Sequence, residues 1–317
     1  MQPSPVVSVV MPVYNAGKYL NAAVESILNQ TFADFEFLVL DDGSTDESPA
    51  IIQRYHQLDS RINFSQRTHE NGNYATALNQ LIEKARGEFI ARMDADDCSR
   101  PERFEHQVAF LRGHPEVVAV SSRVLCVDRD LCPIRFLCTE QTHERIDEAH
   151  MQLRSGEMSH PAVMIRTDAI RRLNGYRVDY CPAEDFDLWL RLAEIGRLAN
   201  LPDVLLSWRL HDKNVGHTRH AAQLAMMRNA VRDAQLRRGL PVEEVRDEPT
   251  ATALHTSQTE LFCKWGWWAL QAGHLETAKK YALLTIKKKP FAKTSWQLLY
   301  CVLRAYRSGT DSAKTLL

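Results

Sequence analysis

Four short apolar runs lie within the first hundred residues, each followed by a stretch of helical spacing, and this alternation leaves few folds open. Val6 to Val10 is a β-branched run broken only by Ser8. Phe35 to Leu40 is almost uniformly apolar, Ile62 to Ser65 is shorter, and Phe89, Ile90, Ala91 and Met93 follow Gly87. Helical spacing runs from Gly17 through Leu20, Val24, Ile27 and Leu28, then over roughly Asp46 to His56, Tyr74 to Ala85, and from Pro101 to about Gly113. Strands apolar on both faces and alternating with helices predict an α/β, doubly wound, mostly parallel sheet covered on both sides.

Polar clusters follow these strands at once: Tyr14-Asn15 after the first, Asp41 to Asp46 after the second, and Asp94, Asp96 and Asp97 after the fourth. They therefore gather on the carboxyl edge of the sheet, where open α/β sheets bind ligands. Asp-x-Asp on a turning backbone can aim two carboxylates at one hard cation, which in turn can hold a diphosphate. The same acids also suit a plain acidic loop or a helix cap before Pro101, and Ser44, Thr45 or Asp46 suits the cap of the second helix.

Further on, Val117 to Val120 and Val124 to Val127 read as two strands, and residues 130 to 160 as an irregular region rich in charge and histidine. Ala162 to Ile165 reads as a strand, and Asp168 to Leu173 as a short helix closed by Asn174-Gly175. Phe186, Trp189, Leu190 and Ala193 have helical spacing, with Glu184 and Asp185 in the first turn, where acid also simply complements the helix dipole. Val204 to Leu210 is a further strand, ending near Arg209 and His211. Beyond it the pattern is helical only, over 221 to 238, 252 to 271, 275 to 288 and 292 to 306. Residues 1–215 are expected to form the α/β domain and 216–317 a helical C-terminal region. Gly273 to Ala278, with Pro290 closing the segment, has the look of one helical-repeat unit without a second copy.

Composition excludes several classes. With 39 basic against 40 acidic residues, no overall nucleic-acid binder is expected. Seven scattered cysteines read as reduced structural thiols. Met-Gln-Pro-Ser-Pro carries no secretory signature and no run reaches 18 apolar residues, so the expectation is a cytoplasmic chain. A dehydrogenase would want Gly-x-Gly-x-x-Gly after the first strand, and a nucleotidyltransferase a Gly-rich basic loop; Asn15-Ala16-Gly17-Lys18 is neither.

Val9-Val10-Met11-Pro12-Val13-Tyr14-Asn15, Leu40 to Asp46, Met93 to Asp97 and Glu184-Asp185-Phe186-Asp187-Leu188-Trp189 occur in this order. Together they closely resemble the family-2 inverting glycosyltransferases, over about residues 6 to 215. The resemblance implies the A-type nucleotide-diphospho-sugar transferase fold. It implies transfer of one sugar, a hexose or N-acetylhexosamine, from a nucleotide-sugar, with a UDP-sugar first, to a glycan or lipid-linked glycan, as in surface polysaccharide synthesis. Carried over by position, Pro12, Tyr14 and Asn15 would line the base pocket, and Asp42 would meet the base or ribose. Arg67 and Asn73 would contact the donor, and Asp94 the ribose or the metal's water shell. Asp96 would ligate Mn²⁺ or Mg²⁺, with Asp97 a less certain third acid. Asp185 would be the general base, with Glu184 second choice, and His160, Asn174 and Tyr176 would lie on the acceptor side. Arg209 or His211 would add charge or a metal ligand, the alternative for His211 being an ordinary loop histidine.

Three departures stand out. Asn71-Gly72-Asn73 replaces the family's Asn-x-Gly, with Asn the next residue to tolerate a left-handed backbone. The Gln-x-x-Arg-Trp signature of processive synthases is missing, and Ser207-Trp208-Arg209 does not substitute for it. The tail after about 245 lies outside the shared motifs. There Lys264, Trp265, Trp267, Trp268, Lys279, Lys280, Lys287, Lys288, Lys289, Lys293, Arg304 and Arg307 interleave basic with aromatic side chains. This composition suits either peripheral contact with the inner face of a membrane or a packing module with a solvated basic face. The rival to an enzyme is a non-catalytic nucleotide-sugar-binding protein of the same fold; Asp94, Asp96 and Asp185, all present, argue for chemistry.

Overall fold

The computed structural model describes residues 4–69, 74–211, 219–242 and 257–307. The expected first half is there: β1 (Val7–Val13), α1 (Gly17–Leu28), β2 (Phe35–Asp41), α2 (Ser48–Leu58), β3 (Ile62–Gln66), α3 (Tyr74–Lys84), β4 (Phe89–Arg92), β5 (Cys98–Ser99) and α4 (Arg103–Gly113). The second half contains β6 (Val117–Val127), β7 (Pro133–Leu137), α5 (His143–Met151), β8 (Met164–Arg166), α6 (Thr167–Arg172), α7 (Glu184–Leu192) and β9 (Arg197–Arg209). The closing helices are α8 (His220–Arg237), α9 (Gln258–Gln271), α10 (Leu275–Lys288) and α11 (Lys293–Arg307).

Among the described residues one sheet has the order β3-β2-β1-β4-β8-β6-β9-β5, with β7 beside β6. β3, β2, β1 and β4 are parallel, whereas β8 runs antiparallel to both β4 and β6. The sheet is thus mixed: the doubly wound half is N-terminal and the antiparallel half follows. Val10, Leu38, Leu40 and Ile90 meet α3 through Ala75, Leu78, Leu81 and Ile82, and the same cluster takes in Trp189 and Leu192 of α7. Because side chains alternate along a strand, Val9, Phe37 and Val39 point to the opposite face, and both sets are buried.

Three sequence expectations are corrected. Residues 117–127 form one strand rather than two, since Ser121 and Ser122 are buried and the Ser121 hydroxyl donates to Ser159 O at 3.4 Å. Small hydroxyl residues with internal partners continue a strand instead of breaking it. Residues 130 to 160 contain β7 and α5, whose buried Ile134, Ile146 and Ala149 were hidden among charges. The last strand of the sheet begins at Arg197, seven residues before Val204, because Leu198, Ala199 and Leu201 are buried there.

Compact packing divides the chain into 1–124 with 138–208 and 221–246, and 125–137 with 209–220 and 247–317. α8 falls in the first unit, where Met227, Ala230, Val231 and Ala234 pack on Ala183, Phe186 and Leu190 of the α7 region. In the second unit, Ala269, Ala278, Ala282, Leu298 and Val302 form the centre of α9, α10 and α11. The buried Asp128 carboxylate accepts from Lys280 Nζ at 2.6 Å and Tyr281 OH at 2.8 Å, fixing α10 to the β6–β7 turn. No described helix is long and apolar enough to cross a membrane.

Ser8, the break in the first apolar run, has a structural reason. Its hydroxyl donates to Glu36 Oε1 at 2.6 Å and accepts from Gly87 N at 2.8 Å, while Arg86 closes on Glu36 Oε2 at 2.7 Å. The backbone before β4 therefore lies hard against β1, and a Cβ on Gly87 would stand 2.6 Å from Ser8 N. Gly87→Ala should destabilise the protein by about 2 kcal/mol through overpacking against backbone that cannot yield; equilibrium urea unfolding measures it.

Candidate active site

The cleft is opened by a parting of strands. β1 pairs with β2 as far as Val13↔Asp41 but with β4 only to Val10↔Arg92, and the last bond on that side runs from Met93 N to Val10 O at 3.0 Å. Two residues past Val10 and on the same side, Pro12 has no N–H to donate, so nothing is left unpaired where β4 turns away. β2 and β3 lie to one side of β1 and β4 to the other, so this gap is the topological switch point of the parallel half.

The two loops on the β1–β2 side are stitched together. Asn15 N donates to Ser44 Oγ at 2.9 Å and Thr45 N to Asn15 Oδ1 at 2.8 Å, with Asn15 itself left-handed at φ 49°. Asp46 Oδ2 accepts from Gly17 N at 2.9 Å and its Oδ1 from Ser48 N at 3.0 Å, so one carboxylate caps α1 and α2 together. The Asn15 side chain is thereby spent on the loop. Tyr14 remains 48% exposed with its ring stacked on His69 at 4.2 Å, and the Asp42 carboxylate is held by Arg67 and, at 3.1 Å, by His69 Nδ1. Gly43 sits at φ 73° with its Cα so near the 69 backbone that a Cβ would be 2.7 Å from His69 N. Asn73 lies outside the described residues.

On the other side of the gap, Asp94, Asp96 and Asp97 bring carboxylate oxygens within 4.8 Å of one another, the group among the described residues able to hold a metal ion. The turn carrying them is pinned at both ends, by β4 and by Cys98↔Ser207 pairing of β5 with β9. Asp94 is the anchored member: Arg92 Nη1 lies 2.5 Å from its Oδ2 and Tyr74 OH donates to its Oδ1 at 2.8 Å. Arg92 Nη2 also donates to Tyr74 OH at 2.7 Å, which closes a triangle. Close carboxylate oxygens are the donor set that Mg²⁺ and Mn²⁺ prefer, so the residues fit such an ion. His211, in the second unit, is outside that group.

At the start of α7, Glu184 is 7% exposed and the Asp185 side chain 29%, so Asp185 is the more accessible of the two. Burial raises both carboxyls; for Glu184, the Asp185 charge adds to burial and pushes it up to about 7. Glu184 Oε2 has no hydrogen-bond partner among the described residues, as suits a protonated acid. His160 Nε2 and Tyr176 OH share a hydrogen bond at 2.8 Å, and His160 Nδ1 stands 4.0 Å from Asp185 Oδ2. Burial and then Arg92 hold His160 well below its usual pKa, so the ring is neutral. Asn79 fixes Tyr176 by two backbone bonds of 2.8 Å. Asn174 is an exposed left-handed residue closing α6, at φ 57°, a role its backbone alone explains.

The structure thus brings together Asp42 with Arg67, and Asp185 with His160 and Tyr176. His69, Tyr74, Asn79 and Arg92 escaped the sequence reading. Arg92 left a signal, as a lone charge within an apolar strand; the other three left none.

A family model described as Glycosyl transferase family 2 matches residues 8–158. EpsE of Bacillus subtilis (strain 168), named as a glycosyltransferase, is 36% identical over 215 residues, covering 66% of this chain and 74% of that protein. The chain belongs to glycosyl transferase family 2. The O-antigen biosynthesis glycosyltransferase WbnJ of Escherichia coli is 33% identical over 213 residues, 66% of this family-2 chain and 81% of its relative. Among solved structures, S. aureus TarS 1–349 in complex with UDP matches with a TM-score of 0.56 at 19% identity, over 96% of this transferase and 92% of that chain. The mannosyltransferase PcManGT of Pyrobaculum calidifontis, in complex with GDP-Man and Mn²⁺, matches at 0.57 and 20% over 97% and 87%. At such identities these structures speak for the A-type fold alone. The protein is a glycosyltransferase related to enzymes of polysaccharide synthesis.

Glu184 gives the transferase a pH signature. Its pKa rises from the ordinary 4.5 to about 7 on folding, so its contribution to stability is whole below 4.5 and lost as pH rises through 7. Glu184→Gln should remove a decline of up to about 3 kcal/mol across that window, read from urea unfolding at pH 4.5, 6 and 8.

Proposed function

We propose that this family-2 member is a metal-dependent, inverting transferase of one sugar from a nucleotide-sugar, first a UDP-sugar, to a hydroxyl of a glycan or lipid-linked glycan. The observation that carries the reading is the pairing of two acid groups of different character. Asp94, Asp96 and Asp97 cluster tightly enough for a cation, while Asp185 stands apart beside a neutral histidine, within reach of the charges of Arg92 and Asp94.

In this reading Tyr14 and Pro12 line the base pocket, and Asp42, steadied by Arg67 and His69, takes a hydrogen bond from the base or ribose. Asp96, with Asp94 and Asp97, would hold Mn²⁺ or Mg²⁺, which supplies positive charge against the diphosphate. The acceptor hydroxyl attacks the anomeric carbon from the face opposite the nucleotide. Asp185 takes the hydroxyl proton as the new C–O bond forms, the bond to the diphosphate oxygen breaks, and the anomeric configuration inverts. His160 and Tyr176, joined through Nε2 and the phenol hydroxyl, border the base on the acceptor side, with His160 Nδ1 facing Asp185. Glu184, increasingly protonated as pH falls below about 7, then leaves the negative charge on Asp185.

Release of free nucleotide from a panel of UDP-, GDP- and dTDP-sugars, with Mn²⁺, Mg²⁺ or chelator, tests the reading. Chelator-sensitive hydrolysis of one UDP-sugar is expected. Asp185→Asn should cut turnover by about 10²–10⁴-fold with donor binding nearly unchanged, and Asp96→Ala should abolish metal-dependent donor binding. A fully active Asp185→Asn protein overturns the base assignment; absence of both hydrolysis and calorimetric UDP binding overturns the UDP-sugar reading.

A further inference from the structure

The aromatic side chains that the tail's sequence brings to notice first are spent on packing. Trp265 is buried against Phe262 and Tyr281, and Trp268 lies between Arg135, 3.6 Å above its ring, and Lys264, at 4.8 Å. A different set is left outside. α11 buries Ser295, Leu298, Val302 and Ala305 against its neighbours, a complete inner face. Trp296, Tyr300 and Leu303 lie on the opposite side at i, i+4 and i+7, and are 52%, 66% and 49% exposed. An ordinary surface helix has one apolar stripe, whereas α11 has two.

The turn before α11 extends the outer stripe. Phe291, behind Pro290, is 99% exposed, and the Trp296 indole N–H donates to Pro290 O at 2.7 Å. The indole's polar atom is therefore satisfied within the chain and its apolar ring can leave water without losing a hydrogen bond. Charge on this stretch has one sign. Residues 286–307 contain Lys287, Lys288, Lys289, Lys293, Arg304 and Arg307 and no Asp or Glu, within a chain whose net charge is −1. Lys288 is engaged with Gln258, but Lys293 and Arg307 flank the outer stripe on the same side of the helix as Tyr300.

We propose that the Phe291 turn and the outer face of α11 form a docking surface for an anionic phospholipid bilayer. Exposed aromatic and aliphatic side chains beside lysine and arginine suit the headgroup boundary of such a bilayer: the rings enter the acyl edge while the cations stay at the phosphates. A protein partner of ordinary composition would offer no such uniform negative field, which is why the lipid surface is the occupant the charges favour.

The full chain is tested by cosedimentation with vesicles of phosphatidylcholine alone and of phosphatidylcholine with phosphatidylglycerol at 1:1. Binding is expected on the anionic vesicles only, weakened at least about tenfold when salt rises from 50 to 500 mM. Phe291→Ser, at a side chain that touches almost nothing and cannot unfold the protein, should weaken it several-fold, and Lys289→Glu with Lys293→Glu should abolish it; nucleotide release without vesicles should be unchanged in both variants. No cosedimentation with anionic vesicles overturns the proposal, as does binding indifferent to these substitutions. A dimer by light scattering that Trp296→Ser dissociates, without vesicle binding, makes the face a contact between copies and also overturns it.

Discussion

The site depends on the early parting of β1 and β4. β1 is held on both edges through Val10, then on one edge alone through Val13, because β4 leaves and Pro12 offers no donor to replace it. On the other edge of β4, towards β8, the buried Arg103 of α4 donates to Arg92 O and Val163 O at 2.9 and 3.1 Å. Gln107, also buried, does the same for Ala162 O at 2.7 Å. Buried backbone oxygens need partners, so these two polar side chains hold the end of β4 that leads into Asp94 from the side away from the gap.

A second dependence is electrostatic. Arg92 is buried at the mouth of that gap, paired with Asp94; burial raises Glu184, Asp185 and Tyr176 and the Arg92 charge offsets part of that rise, while for His160 it adds to burial in lowering the pKa. Without that cation, burial would raise both acids at the start of α7 further. The ion pair with Asp94 thus has a reach beyond its own two partners. An isolated buried pair is weak support for a fold; here the same charge, after the Phe186 N–H, also favours the ionised form of Asp185.

The alternating α/β half was legible because its signals are local: apolar strands, helical spacing and turn residues each state one element. The antiparallel half was less so. β7 and α5 bury only a few residues each among charges, and Ser121 and Ser122 look like a break unless the partner of the hydroxyl is known. The acids of the site were legible from type and position, as clustered carboxylates after strands. The groups that tune them were not, since Tyr74, Asn79 and His69 act through contacts 20 to 97 residues away along the chain. In the C-terminal helices, the sequence could show that aromatics alternate with cations but not which of them the packing would consume.

Asp46 joins two helix starts with one carboxylate, and the consequence is a constraint on variation. The loop after β1 and the loop after β2 each end on an oxygen of the same side chain, and Asn15 and Ser44 add crossing bonds between them. Neither loop can lengthen, shorten or shift register alone without breaking the Gly17–Asp46 bond that holds the start of α1. The β1–β2 side of the cleft is therefore a single mechanical part, and on the proposed function a change in donor preference would have to come through side chains on a fixed frame rather than through remodelled loops.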